Sequence, residues 1–371
     1  MTKIITSVGL MSGTSLDGID ASIIQSDGED HLEIIGNNYT EYSSSIREEI
    51  SELKKKINNS QDIVNLKIEI EKIEKKITIL HAESVKKILD KFKIKNNKIN
   101  IIGFHGQTIF HSYKDKITKQ IGDAKLLSEL LNIDTIYNFR ENDLKNGGQG
   151  APLAPIYHKI LRKKIKLPLP IAFINIGGIS NISYLDLDEK LKSFDCGPGN
   201  CLIDSLIQLK SNNKILYDKN GLIASKGIVN KIILESYLNN PYYELSPPKS
   251  LDTGDFSLSI IRGLSLENSI STLSELTART IVNSLNFFKN KPKKIILIGG
   301  GRKNKFIYDR IKVLSSIQTV DIDNLDFNGD FIESQAFAYL AIRSLLSKPI
   351  TYTETTGVSK ASTGGTLVST K

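Results

Sequence analysis

Hydrophobic positions along the chain alternate between short strand-like runs and longer helix-like stretches. Residues 3–11 and 21–26 are rich in β-branched side chains, and a polar loop separates them, which predicts a hairpin-like pair of strands. Between Asp62 and Phe92 isoleucine and leucine recur at alternating steps of three and four, which predicts one amphipathic helix. The spacing also suits a coiled coil, but it lasts only about three heptads, so a helix packed on its own sheet is favoured.

A second cycle of strands and helices follows the first. The other expected strands are 100–104, 134–139, 170–176, 182–187, 191–194 and 293–300. The other expected helices are 125–131, one that starts near Asn200, 227–238, 269–288 and 332–347. Two successive cycles indicate α/β architecture in two similar lobes, and 371 residues are enough for two domains. The chain has no linker rich in Pro, Gly or Ser, so we expect the lobes to share a tight cleft.

Composition narrows the classes of protein that the chain can belong to. Apolar residues at 40% and charged residues at 24% are typical of a globular protein. The net charge of +8 comes from lysines and arginines spread along the chain, with no binding signature, so nucleic acid is not an expected partner. The first apolar run is interrupted at Ser7 and Gly13 and reaches Asp17, unlike a signal peptide or membrane span. Two cysteines cannot form a disulfide framework, so a cytoplasmic location is expected.

Four glycine-containing loops lie at the ends of predicted strands, at residues 11–20, 174–181, 194–200 and 297–304. Glycine lets backbone N–H groups approach a ligand closely, and successive N–H groups form a nest for anions. Asn200 is expected to cap the helix that follows, whose positive end would face the same anion. One such loop alone is an ordinary turn. A pair of them with carboxylates and hydroxyls, one in each lobe, is what a nucleotide phosphate held between two lobes requires.

Known nucleotide motifs narrow the choice further. The chain has no G-x-x-x-x-G-K-[ST], and its GGGRKN turn lacks the spaced glycines of a dinucleotide fold. Seven motifs resemble those of the anhydro-N-acetylmuramic acid kinases, members of the actin-like superfamily that includes hexokinases and heat-shock chaperones. In chain order they are GLMSGTSLDGID, GFHGQTIFH, NFRENDLKNGGQGAPLAP, INIGGISNISYL, FDCGPGNCLID, IGGGRKN and ESQAFAYLAIR. The resemblance covers residues 8 to about 357, and generic sugar kinases do not carry the third motif.

The resemblance implies a fold, a reaction and cofactors. The fold would be two ribonuclease-H-like (actin-like ATPase) lobes around a central nucleotide and substrate cleft. Residues 1–137 plus 341–371 would form the N-terminal lobe, and 138–340 the C-terminal lobe. The reaction would use ATP and Mg²⁺ to phosphorylate O6 of 1,6-anhydro-N-acetylmuramic acid while water opens the anhydro ring. The product would be N-acetylmuramic acid 6-phosphate, in cell-wall recycling. The resemblance is compatible with a homodimer. A membrane is not an expected partner.

The family motifs also imply roles for single residues. Asp195 matches the catalytic base, which must act on the incoming water because the bridging oxygen has no proton to give up. The alternative for Asp195 is a carboxylate that caps the turn. Asp17 is expected to hold Mg²⁺ through water, and its alternative is a turn-stabilising carboxylate. Nucleotide-binding residues are expected at Gly13, Thr14, Ser15, Leu16, Asp17, Gly18, Ile19, Asp20, Gly177, Gly178, Gly197, Gly199, Asn200, Gly299, Gly300, Gly301 and Asn304.

Three residues are expected to bind the sugar. The guanidinium fork of Arg140 suits the lactyl carboxylate of the substrate or a phosphate oxygen, and a salt bridge to Glu141 or Asp143 is an equal alternative. Gln149, with the GGQG backbone around it, is expected to line the sugar site. Glu333 matches a family glutamate near the substrate, and an acid at the head of a helix is also favourable to the helix dipole.

Histidines and cysteines do not indicate a metal site. His105 and His111 are six residues apart, and His158 follows later, but none adds a ligand with zinc-like spacing. Cys196 stands where a threonine is common in the family, and a metal or redox pair with Cys201 is not favoured.

Two rival functions remain open at this point. A kinase for another sugar would carry the same loops. A non-enzymatic actin-like ATP switch would share the lobes but would not need the NFR…GGQGAP segment.

Overall fold

A computed structural model of the chain describes residues 3–13 and 15–370. The strands are β1 Ile5–Ser12, β2 Gly18–Ser26, β3 Leu32–Glu41, β4 Ile101–Ser112, β5 Ile117–Ile121, β6 Thr135–Tyr137, β7 Ile171–Ile176, β8 Ile179–Leu185, β9 Leu191–Pro198, β10 Lys294–Ile298, β11 Gln318–Asp321 and β12 Thr366–Val368. The helices are α1 Ser44–Lys56, α2 Ser60–Asn65, α3 Lys67–Lys91, α4 Ala124–Leu131, α5 Glu141–Lys145, α6 Pro155–Ile165, α7 Cys201–Ser211, α8 Lys231–Leu238, α9 Leu266–Ser284, α10 Lys305–Ser315, α11 Ile332–Leu345 and α12 Thr353–Thr356.

Contacts divide the chain into two compact units. The first unit is Met1–Ile165 with Phe331–Lys371, and the second unit is Lys166–Asp330. These boundaries differ from the expected ones, because residues 138–165 and 331–340 belong to the first unit. The reason is that α11 packs as one piece on β1, β2 and β4, while α6 packs on α11. A boundary at residue 341 would cut α11 in two.

The sheet of the first unit has the strand order β12-β6-β4-β1-β2-β3, and β5 pairs with β4. The predicted hairpin is present, since β1 and β2 are antiparallel with Val8 opposite Ile23. Strands β4 and β6 continue the sheet in parallel with β1. Helix α11 lies so close to this sheet that a Cβ on Gly9 would overlap the carbonyl oxygen of Ser334, and one on Gly103 would overlap that of Phe337. The absence of a side chain at these two glycines therefore allows the close packing.

The sheet of the second unit has the order β11-β10-β7-β8-β9. Strands β7, β8 and β9 form an antiparallel meander, and β10 and β11 extend it in parallel with β7. Written as β9-β8-β7-β10-β11, this order has the same connectivity as β3-β2-β1-β4-β6 in the first unit. Two units of the same α/β topology confirm the predicted fold class. Helix α9 covers one face of the second sheet with Leu273, Leu276 and Ile281, all buried.

The prediction of one long helix between Asp62 and Phe92 is wrong in one respect, because this region forms two helices. A break at Leu66 separates α2 from α3. The backbone leaves helical geometry at Leu66 (φ −95°, ψ 13°), and α2 has its own start signal, since Asn59 caps it and Asp62 completes a capping box. The other predicted elements are present with shifted ends, whereas β3, β5, β11, β12, α1, α5, α6, α10 and α12 were not predicted. No helix within 3–13 and 15–370 is long and apolar enough to cross a membrane.

Candidate active site

The first glycine-containing loop is a short turn between β1 and β2. Leu16 adopts a left-handed conformation (φ 57°), and its N–H donates to the carbonyl of Gly13 at 3.3 Å. The Ser15 hydroxyl donates to Oδ1 of the exposed Asp17 at 2.7 Å. Thr14 lies outside the described residues. The sequence extended this loop to residue 20, but Gly18, Ile19 and Asp20 belong to β2 because they pair with β3.

Two tyrosines anchor the end of this loop. The Tyr39 hydroxyl and the Tyr42 N–H both donate to the carbonyl of Asp17, at 2.8 and 3.0 Å. The Tyr42 hydroxyl lies 2.7 Å from Ser12 Oγ, which itself donates to the carbonyl of Gly18. Because the serine proton is used there, the Tyr42 hydroxyl is the donor in the first pair. Burial raises the pKa of Tyr39 to about 12 and also raises that of Tyr42, so both stay protonated donors.

Two glycine turns of the second unit bind to each other directly. The N–H of Gly199 donates to the carbonyl of Gly178 at 2.9 Å, and the N–H of Asn200 donates to that of Gly177 at 2.7 Å. A Cβ on Gly199 would overlap the carbonyl oxygen of Gly177, so this approach requires glycine. The β7–β8 turn and the β9–α7 junction are therefore joined by direct backbone hydrogen bonds. Gly197 lies at the end of β9, where a Cβ would meet Thr280.

The third glycine turn follows β10 and contacts the other two. Gly299 has φ 76°, and a Cβ there would overlap Asn175 Oδ1. A Cβ on Gly301 would overlap the Ile176 side chain, whereas one on Gly300 would have no heavy atom within 4 Å. Asn304 caps α10 by accepting from the Ile307 N–H at 3.2 Å. The structure thus brings together the expected nucleotide-binding residues of the second unit.

Asn200 does not act as the predicted helix cap. It occupies the N-cap position of α7, but its side chain makes no capping hydrogen bond. Its Nδ2 instead donates to the carbonyl of Ile176 at 3.3 Å. The prediction was wrong because the close approach of the glycine turns draws this side chain towards β7.

Arg302, which the sequence did not single out, supports the third glycine turn. Its side chain is 2% exposed and donates to the carbonyl of Gly299 at 2.9 Å. Its guanidinium also contacts three carboxylates, those of Asp321, Asp323 and Asp330, at 3.2, 2.7 and 2.7 Å. Burial alone would lower the pKa of Arg302, but hydrogen bonds to Asp330 and Asp323 raise it. An arginine inside a glycine turn is the one sequence signal that could have indicated this role.

Asp195 lies within β9 rather than in a loop. It is 6% exposed, and its Oδ2 accepts a hydrogen bond from the N–H of Leu251 at 2.8 Å. Leu251 belongs to a segment that follows α8, residues 240–251, which we call the strap. The neighbouring Cys196 is buried and free, and burial raises the pKa of its thiol to about 12. Cys201 is also free, with a pKa raised by burial to about 11, so neither cysteine is a reactive thiolate.

Arg140 is held by a histidine and a carbonyl in the first unit. One terminal nitrogen donates to the carbonyl of Gly150 at 2.7 Å, and Nε and the other terminal nitrogen lie 3.2 and 3.0 Å from His105 Nε2. His105 Nδ1 lies 2.8 Å from the carbonyl of Gly106, so Nδ1 carries the proton and Nε2 accepts. Burial, and then the charge of Arg140, hold the pKa of His105 well below its ordinary value. A neutral histidine therefore orients the guanidinium.

Asp143 organises the GGQG segment beside Arg140. Its carboxylate is 1% exposed and accepts from the N–H of Gly150 at 2.7 Å and from the Thr356 hydroxyl at 2.6 Å. The backbone N–H of Gln149 donates to the carbonyl of Thr356 at 2.8 Å, and its own carbonyl lies 3.1 Å from His111 Nε2. The loop is therefore tied to the C-terminal segment of the chain, an arrangement that the sequence did not indicate.

Glu333 lies half-buried in the first turn of α11, where an acidic side chain is favourable to the helix dipole. Its neighbour Ser334 is fixed to β2 by a 2.6 Å hydrogen bond with Ser22. The three expected substrate residues, Arg140, Gln149 and Glu333, thus all belong to the first unit, although the predicted boundaries placed them in the second lobe.

Comparison with known proteins identifies the family. The model for the family described as anhydro-N-acetylmuramic acid kinase matches residues 5–370. The chain belongs to this family. An anhydro-N-acetylmuramic acid kinase from Pelagibacter ubique is 47% identical over 378 residues, covering 99% of both chains. One from Brucella canis is 37% identical over 366 residues, covering 97% of this chain and 98% of that one.

Membership of the family confirms the predicted resemblance, the function and the class of enzyme, an ATP-dependent sugar kinase. Among solved structures, component A of the Acidaminococcus fermentans (R)-2-hydroxyglutaryl-CoA dehydratase aligns with 92% of this chain and 99% of its own. The TM-score is 0.48 and the identity 10%, which is a distant likeness.

Proposed function

We propose that the protein transfers the γ-phosphoryl group of ATP to O6 of 1,6-anhydro-N-acetylmuramic acid while water adds at C1. The bond between C1 and O6 breaks, O6 bonds to phosphorus, and ADP leaves. Water supplies a hydroxyl to C1, and its proton passes to the Asp195 carboxylate. Family membership supports the choice of sugar. The observation that carries the assignment of the base is a nearly buried carboxylate, fixed at one oxygen, beside the glycine turns of the second unit.

An ordinary carboxylate is a weak base toward water in solution. It can serve here because the attacking water becomes acidic only as its bond to C1 develops, while the bond from C1 to O6 breaks. The hydrogen bond from Leu251 to Oδ2 fixes the orientation of Asp195. A carboxylate held in one orientation loses less freedom when it accepts the proton, which favours this role over a cap for the turn.

Phosphoryl transfer requires mostly positioning and stabilisation of charge, which glycine turns supply through backbone N–H groups. We assign the phosphates to two places: the first loop, residues 13–17, and the joined turns at Gly177, Gly178 and Gly199. The third turn, with Gly299 to Gly301 and Asn304, is assigned to the adenosine. Its Gly300 has open space where a side chain would stand, which leaves room for a flat base.

Arg140 is assigned to the lactyl carboxylate of the sugar. Its guanidinium is oriented by His105 and Gly150, and a fixed fork recognises a carboxylate with little loss of side-chain freedom. Gln149 and Glu333 of the same unit are proposed to contact the sugar hydroxyls and acetamido group. Because the donor is ATP, we place the reaction in the cytoplasm.

Mg²⁺ fits the first loop through Asp17. Mg²⁺ prefers oxygen ligands and keeps several waters, so one exposed carboxylate beside the phosphates is a suitable partner. Within the described residues, no group of three or more His, Cys, Asp or Glu side chains forms a metal cage. When bound, Mg²⁺ would neutralise charge on the phosphates.

Replacing Asp17 with asparagine should raise the Mg²⁺ concentration needed for half-maximal rate by about tenfold, since a neutral amide is a weaker partner for the hydrated ion. The measurement is a Mg²⁺ titration of turnover at saturating sugar. Asp115→Asn is the matched control, because Asp115 is also exposed and accepts from a serine hydroxyl, that of Ser112. Equal titration curves for the Asp17 variant and the wild type would reject this role.

The reaction itself is tested by mass spectrometry of products from ATP, Mg²⁺ and a panel of anhydro and ordinary sugars. We expect the anhydro sugar to gain the mass of a phosphoryl group (HPO3) plus water. In ¹⁸O-labelled water the label should enter the sugar at C1 and not the phosphate. Gain of the phosphoryl group alone would indicate an ordinary sugar kinase, and the absence of a phosphorylated product from every sugar in the panel would reject the proposal.

A further inference from the structure

The strap, residues 240–251, covers the free edge of β9 at Asp195. Strand β9 is the last strand of its sheet, so its outer backbone groups need partners from elsewhere. The N–H of Asp195 donates to the carbonyl of Lys249 at 2.9 Å, and the Tyr242 hydroxyl donates to the carbonyl of Asp195 at 2.6 Å. With the bond from Leu251 to Oδ2, the strap therefore holds both the backbone and the carboxylate of this residue.

The side chain of Lys249 closes the strap on itself. Lys249 is only 6% exposed, and its Nζ donates to the carbonyls of Tyr242 and Tyr243 at 3.0 and 3.2 Å. The same nitrogen lies 4.6 Å from the ring centroid of Tyr242 and 4.4 Å from that of Phe287. Hydrogen bonds and aromatic faces are the partners that make a buried ammonium group tolerable.

The charge of Lys249 is retained at neutral pH. Burial lowers its pKa to about 8, which still leaves most of the amine protonated at pH 7. The titratable groups that face it are the thiol of Cys196 on β9 and the phenol of Tyr242 on the strap. A protein with a buried cation is often less stable than one with an apolar side chain of similar volume at the same position. Stability alone therefore does not account for a lysine at residue 249.

We propose that Lys249 is a positioning residue for the reaction: it locks the strap so that the Leu251 N–H holds the carboxylate of Asp195 in one orientation. The inference rests on the proposed role of Asp195 as the base. If the strap loosens, the carboxylate loses a hydrogen bond to its charged form, and its geometry toward the attacking water broadens. Binding of ATP and sugar is affected little, because Lys249 acts on Asp195 and not on the glycine turns.

The test compares Lys249→Met with Lys249→Arg. Methionine keeps the apolar stem but removes the donors and the charge, so kcat should fall by about tenfold. The KM values for ATP and sugar should stay within about twofold. The acid limb of the kcat profile should move upward by about one pH unit, because a carboxylate with fewer donors is protonated more easily. Arginine keeps the donors and the charge and should restore most of the rate. Lys210→Met, on the exposed surface of α7, is the control.

An unchanged kcat and acid limb in Lys249→Met would overturn the inference. If circular dichroism shows that this variant does not fold, Tyr242→Phe carries the test, since it removes only the hydroxyl that ties the strap to Asp195. The same fall and shift are expected there, and wild-type behaviour would overturn the inference. Asp195→Asn, measured alongside, separates the two failures: if it is active, the proposed base is wrong. If it is inactive while Lys249→Met is normal, only the role of Lys249 is wrong.

Discussion

Replacing Asp195 with asparagine should reduce turnover by about a thousandfold, because loss of a general base costs about 10²–10⁴ in rate. Asparagine has nearly the same shape, and its amide oxygen can still accept the hydrogen bond that the Leu251 N–H donates. It cannot take a proton from the water at C1. The strap and the glycine turns should therefore remain intact, and binding of ATP and sugar should change by no more than about twofold.

The measurement pairs isothermal titration with ATP and with the anhydro sugar and a coupled assay of ADP release. Asp186→Asn is the matched control, because Asp186 follows the neighbouring strand β8 and its carboxylate accepts from the N–H groups of Asp188 and Lys190. That variant should turn over at the wild-type rate. Near-normal turnover in Asp195→Asn would remove Asp195 from the mechanism, whereas loss of both binding and turnover would indicate a structural role.

Replacing Gly199 with alanine should weaken ATP binding by roughly 5- to 150-fold, the range that about 1–3 kcal/mol of overpacking produces. The added Cβ would overlap the carbonyl oxygen of Gly177, and its next neighbours are backbone atoms too. No side-chain rotation can relieve the overlap, so the two turns must separate. Separation breaks the hydrogen bonds from the N–H groups of Gly199 and Asn200, and with them the proposed phosphate site.

Sugar binding should be nearly unchanged in Gly199→Ala, because the proposed sugar residues Arg140, Gln149 and Glu333 belong to the first unit. Isothermal titration with a non-hydrolysable ATP analogue and, separately, with the sugar makes the comparison. Gly254→Ala is the control, since a Cβ there would approach only Asp252 Oδ1, at 4.0 Å. Wild-type affinity for the ATP analogue in a folded Gly199→Ala protein would contradict the assigned phosphate site.

Much of the fold could be predicted because local periodicity is imposed by burial on one face of each element. The alternating hydrophobic runs predicted the β1–β2 hairpin, and the charge-bounded run at 293–300 predicted the buried strand β10. Helix α2 was merged with α3 because the hydrophobic spacing continues through Leu66, where the backbone nevertheless leaves helical geometry. Strand β3 was missed because Asn37 and Asn38, weak strand formers, interrupt its apolar positions.

The candidate site, like the fold, could be predicted only in part from the sequence. Glycine motifs and the NFR…GGQGAP segment indicated which residues to consider, because glycine and arginine at such positions are demanded by local backbone and charge. The sequence did not assign a supporting role to three groups: His105 beside Arg140, Asp143 beside the GGQG backbone, and Arg302 beside the third turn. His105 lies 35 residues from Arg140, so no short window of sequence contains both. Asp143 and Arg302 lie inside the quoted motifs, but residue spacing does not show that their side chains fold back onto the Gly150 N–H and the Gly299 carbonyl.

The sequence by itself determined the family, the α/β class with its two cycles, and the residue types that the chemistry needs. All of these are properties of short segments read in order. Only the tertiary structure decided that α11 belongs whole to the first unit, and that Asn200 donates to Ile176 instead of capping its helix. It also decided that the strap closes over Asp195. These outcomes depend on which buried donors and acceptors meet after the chain has folded, and local propensity does not encode such distant pairings.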